Sequence, residues 1–227
     1  MSSTFTLTGK EPVLSCNFFP PIELNPKLDY SVGLISLDTY NSIPNIEEGK
    51  NNQLKYDGRL YAVPTGAYEI HTLETELQNL LGGIEKISLR ANNASLKCEL
   101  KSIYKIDFNV PNSLGPVLGF SKHELNANTL HVSNLPINIT SVTTILVECN
   151  LVCGAYLNGK EFHTLHTFAI TQPPGFRITQ VPSTIIYLPV KSRLIDTLSV
   201  KLTDQNGDLL NFRNETITVH IHLKHGL

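Results

Sequence analysis

Histidines supply the sharpest local chemistry in this 227-residue chain. In the run ETITVHIHLK at 215–224, His220 and His222 stand two residues apart, so on a strand both imidazoles leave the same face about 6.6 Å apart. Such a pair can offer two nitrogens to one metal ion, as in the cupins, which also use a jelly-roll frame. The cupin pattern goes on to a Glu a few residues later, whereas here Lys224-His225-Gly226-Leu227 follows. His220 and His222 are therefore metal candidates without the cupin carboxylate, and the plainer reading puts them on a solvent face opposite Ile217, Val219, Ile221 and Leu223. His163 and His166 lack both the intervening Glu and the helical spacing of a metalloprotease pair. Cys149 and Cys153 project from one expected strand face about 13 Å apart, too far for a disulfide, and read as small core hydrophobes.

Other constellations fail sooner. There is no G-x-S-x-G elbow, and Gly82, Gly83, Gly115 and Gly119 form neither a dinucleotide fingerprint nor a phosphate loop. Asp204 and Asp208 around Asn206-Gly207 loosely resemble a calcium loop but lack its closing Glu, and a hairpin turn accounts for each residue. No enzyme activity, cofactor or resident metal is expected.

The elements that would position these side chains are mostly strands. Strict alternation marks 215–224, and Leu198, Val200 and Leu202 mark another strand, with 204–208 as the expected hairpin turn. Val142, Ile145, Val147, Cys149, Leu151 and Cys153 predict one long strand over 140–153. Gly154 and Asn158-Gly159 then punctuate the chain, and 184–190 is a dense β-branched run closed by a proline. Tyr30, Val32 and Leu34, then Leu96, Cys98 and Leu100, then Tyr104, Ile106 and Phe108 predict three more strands. One helix interrupts them: Ile70, Leu73, Leu77, Leu80 and Leu81 fall at helical spacing, with Thr72 as the expected N-cap and Gly82-Gly83 as the stop. The pattern predicts an all-β protein, an antiparallel β-sandwich with the strand number of a single jelly roll and one short helix over about 71–81. It draws a single domain over 1–227 with an irregular N-terminal segment.

Composition narrows the partners. With 18 Lys+Arg against 20 Asp+Glu there is no chain-wide basic field for nucleic acid. The absence of Trp and 7% aromatic content disfavour a stacking platform for single strands or sugars. The first nine residues lack the basic and apolar regions of a secretory signal, and no apolar run reaches the ~20 residues of a membrane span.

Five stretches together carry a family resemblance: YSVGLISLDTYNSIPNI at 30–46, VPTGAYEI at 63–70, LGPVLGF at 114–120, IIYLP at 185–189 and LTDQNGDLLNFR at 202–213. In this succession the chain resembles the capsid-type proteins of polinton (Maverick) elements and adintovirus-like viruses. The resemblance implies a single jelly-roll minor capsid, or penton, protein that assembles into a cyclic oligomer at capsid vertices, a pentamer rather than a trimer. It implies a separate double jelly-roll major capsid protein as partner, a place in the virion, and synthesis in the host cytoplasm with the nucleus as a candidate assembly site. The chain departs from a genome-lining protein in having no basic N-terminal arm, so direct nucleic-acid contact is not expected.

A closed ring needs one patch on each copy to meet a different patch on the next. The candidate contact residues are those in irregular segments that the core does not obviously require: Phe18, Phe19 and Ile22; Tyr40, Ile43 and Ile46; and Phe176 after Pro173-Pro174-Gly175. Two readings from other classes stay open at this level. One is a carbohydrate- or ligand-binding β-sandwich module, and the other is a cupin-like metalloenzyme using His220 and His222.

Overall fold

Alternating residues Ile217, Val219, Ile221 and Leu223 form the buried face of a strand, Ile217–His225, in a computed structural model of the chain. The structure describes residues 2–121, 123–140, 142–157 and 159–225, so Asn158 of the expected Asn-Gly turn lies outside them. They fall into two compact units, Met1–Ile43 with Val142–Leu227, and Pro44–Ser141. Strand spacing draws one domain because it cannot tell which strands share a core. Here the buried apolar residues form two separate clusters, one in each unit.

The first unit contains β1 (Ser2–Gly9), β2 (Val13–Glu23), β3 (Tyr30–Tyr40), and later β11 (Thr144–Cys149), β12 (Ala155–Leu157), β13 (Lys160–Phe162), β14 (Thr164–Ala169), β15 (Arg177–Gln180), β16 (Leu188–Pro189), β17 (Leu194–Thr203) and β18 (Ile217–His225). One sheet runs β1-β18-β3-β15, with β16 also on β3, and the other runs β14-β11-β17-β2. All these pairings are antiparallel. Leaving aside the two-residue β16, which makes the first sheet five-stranded, the two four-strand paths with the chain crossing repeatedly between them make an eight-stranded jelly roll. Leu34, Leu37, Val219 and Ile221 of one sheet and Ile145, Val147, Leu198 and Val200 of the other supply its core.

Several local expectations change for identifiable reasons. The N-terminal segment is regular: Phe5 and Leu7 alternate with threonines in β1, which pairs along its length with β18. The long strand expected over 140–153 ends at Cys149, because Asn150 turns the chain: its side-chain amide donates to the Thr197 carbonyl and its Oδ1 accepts the Ser199 N–H. The apolar alternation continues past that point because Leu151 and Val152 are buried in the turn itself. In 184–190 only Leu188–Pro189 forms a strand, on β3, and Val190 adds an isolated bridge to Val152. At 204–208 the expected turn is present: the Asp204 carboxylate accepts the Asn206 and Asp208 N–H groups, Gly207 takes φ +89°, and Thr203 bridges antiparallel to Leu209, with the Leu210 N–H donating to the Leu202 carbonyl, but the returning arm forms no strand beyond that bridge. Leu210 and Phe212 are drawn into the core while the chain crosses to the opposite sheet.

The second unit is inserted between β3 and β11. It holds β4 (Gln53–Tyr56), β5 (Arg59–Ala62), α1 (Ile70–Leu81), β6 (Ile87–Asn92), β7 (Lys97–Ser102), β8 (Ile106–Asp107), β9 (Glu124–Leu125) and β10 (Leu130–Pro136). Its sheets run β5-β4-β8-β9 and β10-β7-β6. The helix starts one residue earlier than its spacing suggests, with Glu69 at the N-cap. Thr72 sits at the third helical position, where its hydroxyl accepts the Glu69 N–H at 2.8 Å. Gly82 closes the helix at φ +83°, the left-handed conformation glycine adopts without a Cβ clash. Leu73, Leu77 and Leu81 face the core, where Phe108 stacks on Phe120 at 5.6 Å. The helix also finishes the outer edge of β6: Glu74 accepts the Leu89 N–H and Gln78 donates to the Ile87 carbonyl, both at 3.0 Å.

Separate cores predict separable stability. Leu77, fully buried in the second unit, should cost about 2–5 kcal/mol when cut to alanine. Native-state hydrogen exchange on Leu77→Ala should lose protection in β6 and β7 and keep it in β17 and β18. Equal loss in both units would contradict two cores.

Candidate functional site

The outer face of β18 gathers the first candidates. His220 and His222 lie on it, opposite the buried apolar row. A hydrogen bond of 2.9 Å joins His220 Nδ1 to the Thr6 hydroxyl. His222 Nε2 meets the Ser2 hydroxyl at 2.5 Å and its Nδ1 the Tyr187 hydroxyl at 2.7 Å. With both nitrogens of His222 engaged by hydroxyls, the pair braces β1 and the segment around Tyr187 against the sheet. Lys224 caps the arrangement, its Nζ 3.6 Å from the centroid of the Tyr187 ring. The close approach depends on Gly33 of β3, where a Cβ would come within 2.5 Å of the Ile185 side chain. Among the described residues, no three His, Cys, Asp or Glu side chains are grouped to hold a metal ion.

The second histidine pair is divided between roles. His163 donates from Nδ1 to the Val152 carbonyl at 2.7 Å. It lines a shallow cavity of about 150 Å³ with Glu148, Cys149, Asn150, Ser199 and Lys201. That is well below the roughly 300–1,000 Å³ of small-molecule pockets. His166 stacks on Phe168 and receives the Gln180 amide at 3.2 Å, and burial lowers its pKa from the ordinary imidazole value. Burial pushes the thiols of Cys98 and Cys149 up, to about 12 and about 11, which suits inert core residues. Cys153 is only partly buried and lies beyond the end of β11, so the two cysteines do not share a strand face as expected.

The contact candidates separate by burial. Ile43 is buried in the first unit and Ile46 in the second, so neither has surface to offer a neighbour. Both follow the end of β3, where a Pro-Asn stretch reads as loop although its isoleucines point inward. Phe18 packs edge-on against Phe5 at 5.6 Å, and Ile22 is partly buried against the same core. Phe19, Tyr40 and Phe176 are exposed, Phe19 completely, Tyr40 at 45% and Phe176 at 61%.

Phe19 projects from β2, where the register against β17 shifts between Ile195 and Thr197 and Pro20 and Pro21 lack N–H groups. Tyr40 and Phe176 adjoin each other where β3 meets β15: Arg177 pairs with Tyr40, and the Asn41 N–H donates to the Phe176 carbonyl. Since β2 and β15 are terminal strands at opposite ends of the two sheets, the exposed aromatics form two unlike patches on opposite edges of the jelly roll. Val181 and Ile186, also exposed, were not among the sequence candidates. Nothing local distinguishes them from core positions: Val181 follows the end of β15 and Ile186 lies in the unpaired 184–187.

No family model matches the chain, and no curated protein matches it. Among solved structures it is similar to the crystal structure of the SeMet-labelled mavirus penton protein, with 12% identity and a TM-score of 0.53 over 100% of both chains. At that identity the likeness is one of fold, and it extends over the inserted unit as well as the jelly roll.

His166 makes stability depend on pH. Its pKa lies below the ordinary 6.5, so in the acid range the unfolded chain takes up the proton more readily than the folded one. Urea denaturation should therefore show stability falling as pH drops through and below 6.5. His166→Gln should flatten that part of the profile, and an unchanged slope would refute the assignment.

Proposed function

We propose that this chain is a structural virion protein of penton type, a non-enzymatic subunit that closes into a cyclic oligomer, a pentamer, at capsid vertices. The observation that carries the reading is the fold: an eight-stranded jelly roll with an inserted unit, similar from end to end to the mavirus penton protein. The surface chemistry supports it. Ring closure needs a heterologous contact, and two different aromatic patches on opposite edges are what such a contact uses. The prolines at Phe19-Pro20-Pro21 withhold backbone donors, so this edge would meet a neighbour through side chains rather than by continuing the sheet. Near-neutral charge, -2 overall, favours contact between protein subunits over genome binding. A double jelly-roll shell protein is the second partner in this reading, the virion is its location, and assembly follows synthesis in the host cell.

Light scattering on the purified protein should find a species of five times the 25.2 kDa protomer. A strict monomer at high concentration would defeat the proposal. Phe19→Ser and Phe176→Ser should each yield protomers, because losing one exposed phenylalanine removes about 1.5–3 kcal/mol of burial at every contact. Mixing the two variants should restore one intact patch pair and no more, giving a heterodimer by native mass spectrometry. Rings in that mixture would rule out these two patches as the contact.

A further inference from the structure

The sheet β10-β7-β6 of the inserted unit has two edges that are treated differently. Side chains of α1 occupy the outer backbone groups of β6. On β10 the C-terminal half is closed: the register against β7 shifts between Val132 and Pro136, the Leu135 N–H donates to the Gly119 carbonyl, and Pro136 has no N–H. Residues 130–133 show no outward backbone hydrogen bond among the described residues, and they include none of the Pro or Lys residues that usually guard an edge. Leu130 and Val132 point away from the core, 58% and 53% exposed.

The same face is basic. Lys101 lies opposite Leu130, Glu99 lies opposite Val132 and next to Arg90, and Lys97 follows two residues before Glu99. Arg90, Lys97 and Lys101 have no ion-pair partner among the described residues, and the one acid, Glu99, accepts a hydrogen bond from Asn92 at 2.9 Å.

We propose that residues 130–133 of β10 are a docking edge for an extended acidic segment of a partner protein, one that alternates aliphatic and acidic residues and adds to this sheet as a further strand. Main-chain hydrogen bonds would supply the register, Leu130 and Val132 would pack on the aliphatic positions, and the cations of β7 and β6 would face the acids. A second copy fits poorly, since pairing two β10 edges would set two basic faces side by side. A lipid surface fits poorly too, because hydrocarbon cannot satisfy open backbone groups. The inference does not rest on the ring reading.

The test uses the full chain and a fluorescent seven-residue peptide alternating Val and Glu, followed by anisotropy, with a Val-Lys peptide and a Pro-interrupted Val-Glu peptide as controls. Only the Val-Glu peptide should bind wild type. Leu130→Ser/Val132→Ser should weaken it about tenfold or more. Lys97→Glu/Lys101→Glu should reverse the preference towards Val-Lys, with circular dichroism showing both variants folded. Phe19→Ser protein must bind as well as wild type, which keeps this result separate from the oligomer assay. Absence of binding, equal binding of the two charged peptides, or an unchanged preference after charge reversal would overturn the proposal. So would self-association lost in Leu130→Ser/Val132→Ser, or flotation with phosphatidylserine vesicles, by assigning the edge to a second copy or to a membrane.

Discussion

Strand β3 must keep apolar side chains on one face over eleven residues while pairing with β18 on one side and β15 and β16 on the other. Strict alternation would turn either Leu34 or Leu37 outward, because they are three residues apart. The register shift against His220 and Ile221 adds a residue to β3 there, and both leucines are buried. Much of the jelly roll depends on this bulge. It lets the strand run on to Tyr40, where β15 attaches, and it brings the chain to Ile43, the last residue before the inserted unit begins at Pro44. Gly33, on the same strand, leaves room for the Tyr187 segment to lie over the sheet.

The rest of the molecule can be understood through its sheet edges. An exposed strand edge invites uncontrolled pairing, and three edges here are handled by different chemistry. β1 is a threonine-rich strand tied to β18 through Ser2, Thr6 and Thr8. β2 carries two prolines and a bulge, and β6 is finished by helix side chains. Some edges keep exposed apolar groups, as at Phe19 and at Leu130 with Val132. The reactive residue types are absorbed into bracing or core: His222 between two hydroxyls, Asp204 inside a turn, Cys98 and Cys149 in the interiors.

Local patterns revealed those elements whose stability is itself local. The strand ending at His225 and the helix closing at Gly82 were both legible, because alternation and capping act within a few residues. The structure separates the contact candidates by exposure alone. Phe19, Tyr40 and Phe176 are aromatic residues in irregular or edge sequence and are exposed, whereas Ile43 and Ile46 sit in sequence of the same kind and are buried. Telling them apart requires knowing what lies above each residue.

The amino-acid sequence, taken alone, is enough to decide that this chain builds antiparallel β-structure with one helix, that its net charge is close to neutral, and that no carboxylate follows His220 and His222 at the cupin spacing. These follow from side-chain periodicity and charge, which are additive along the chain. Only the tertiary structure decided that the strands divide between two cores, that the arm returning from 204–208 pairs only briefly before Leu210 and Phe212 enter the core, and that 130–133 is left open while β6 is closed. Those outcomes depend on pairings between residues far apart in sequence, and a strand's apolar period is the same whichever neighbour it finds.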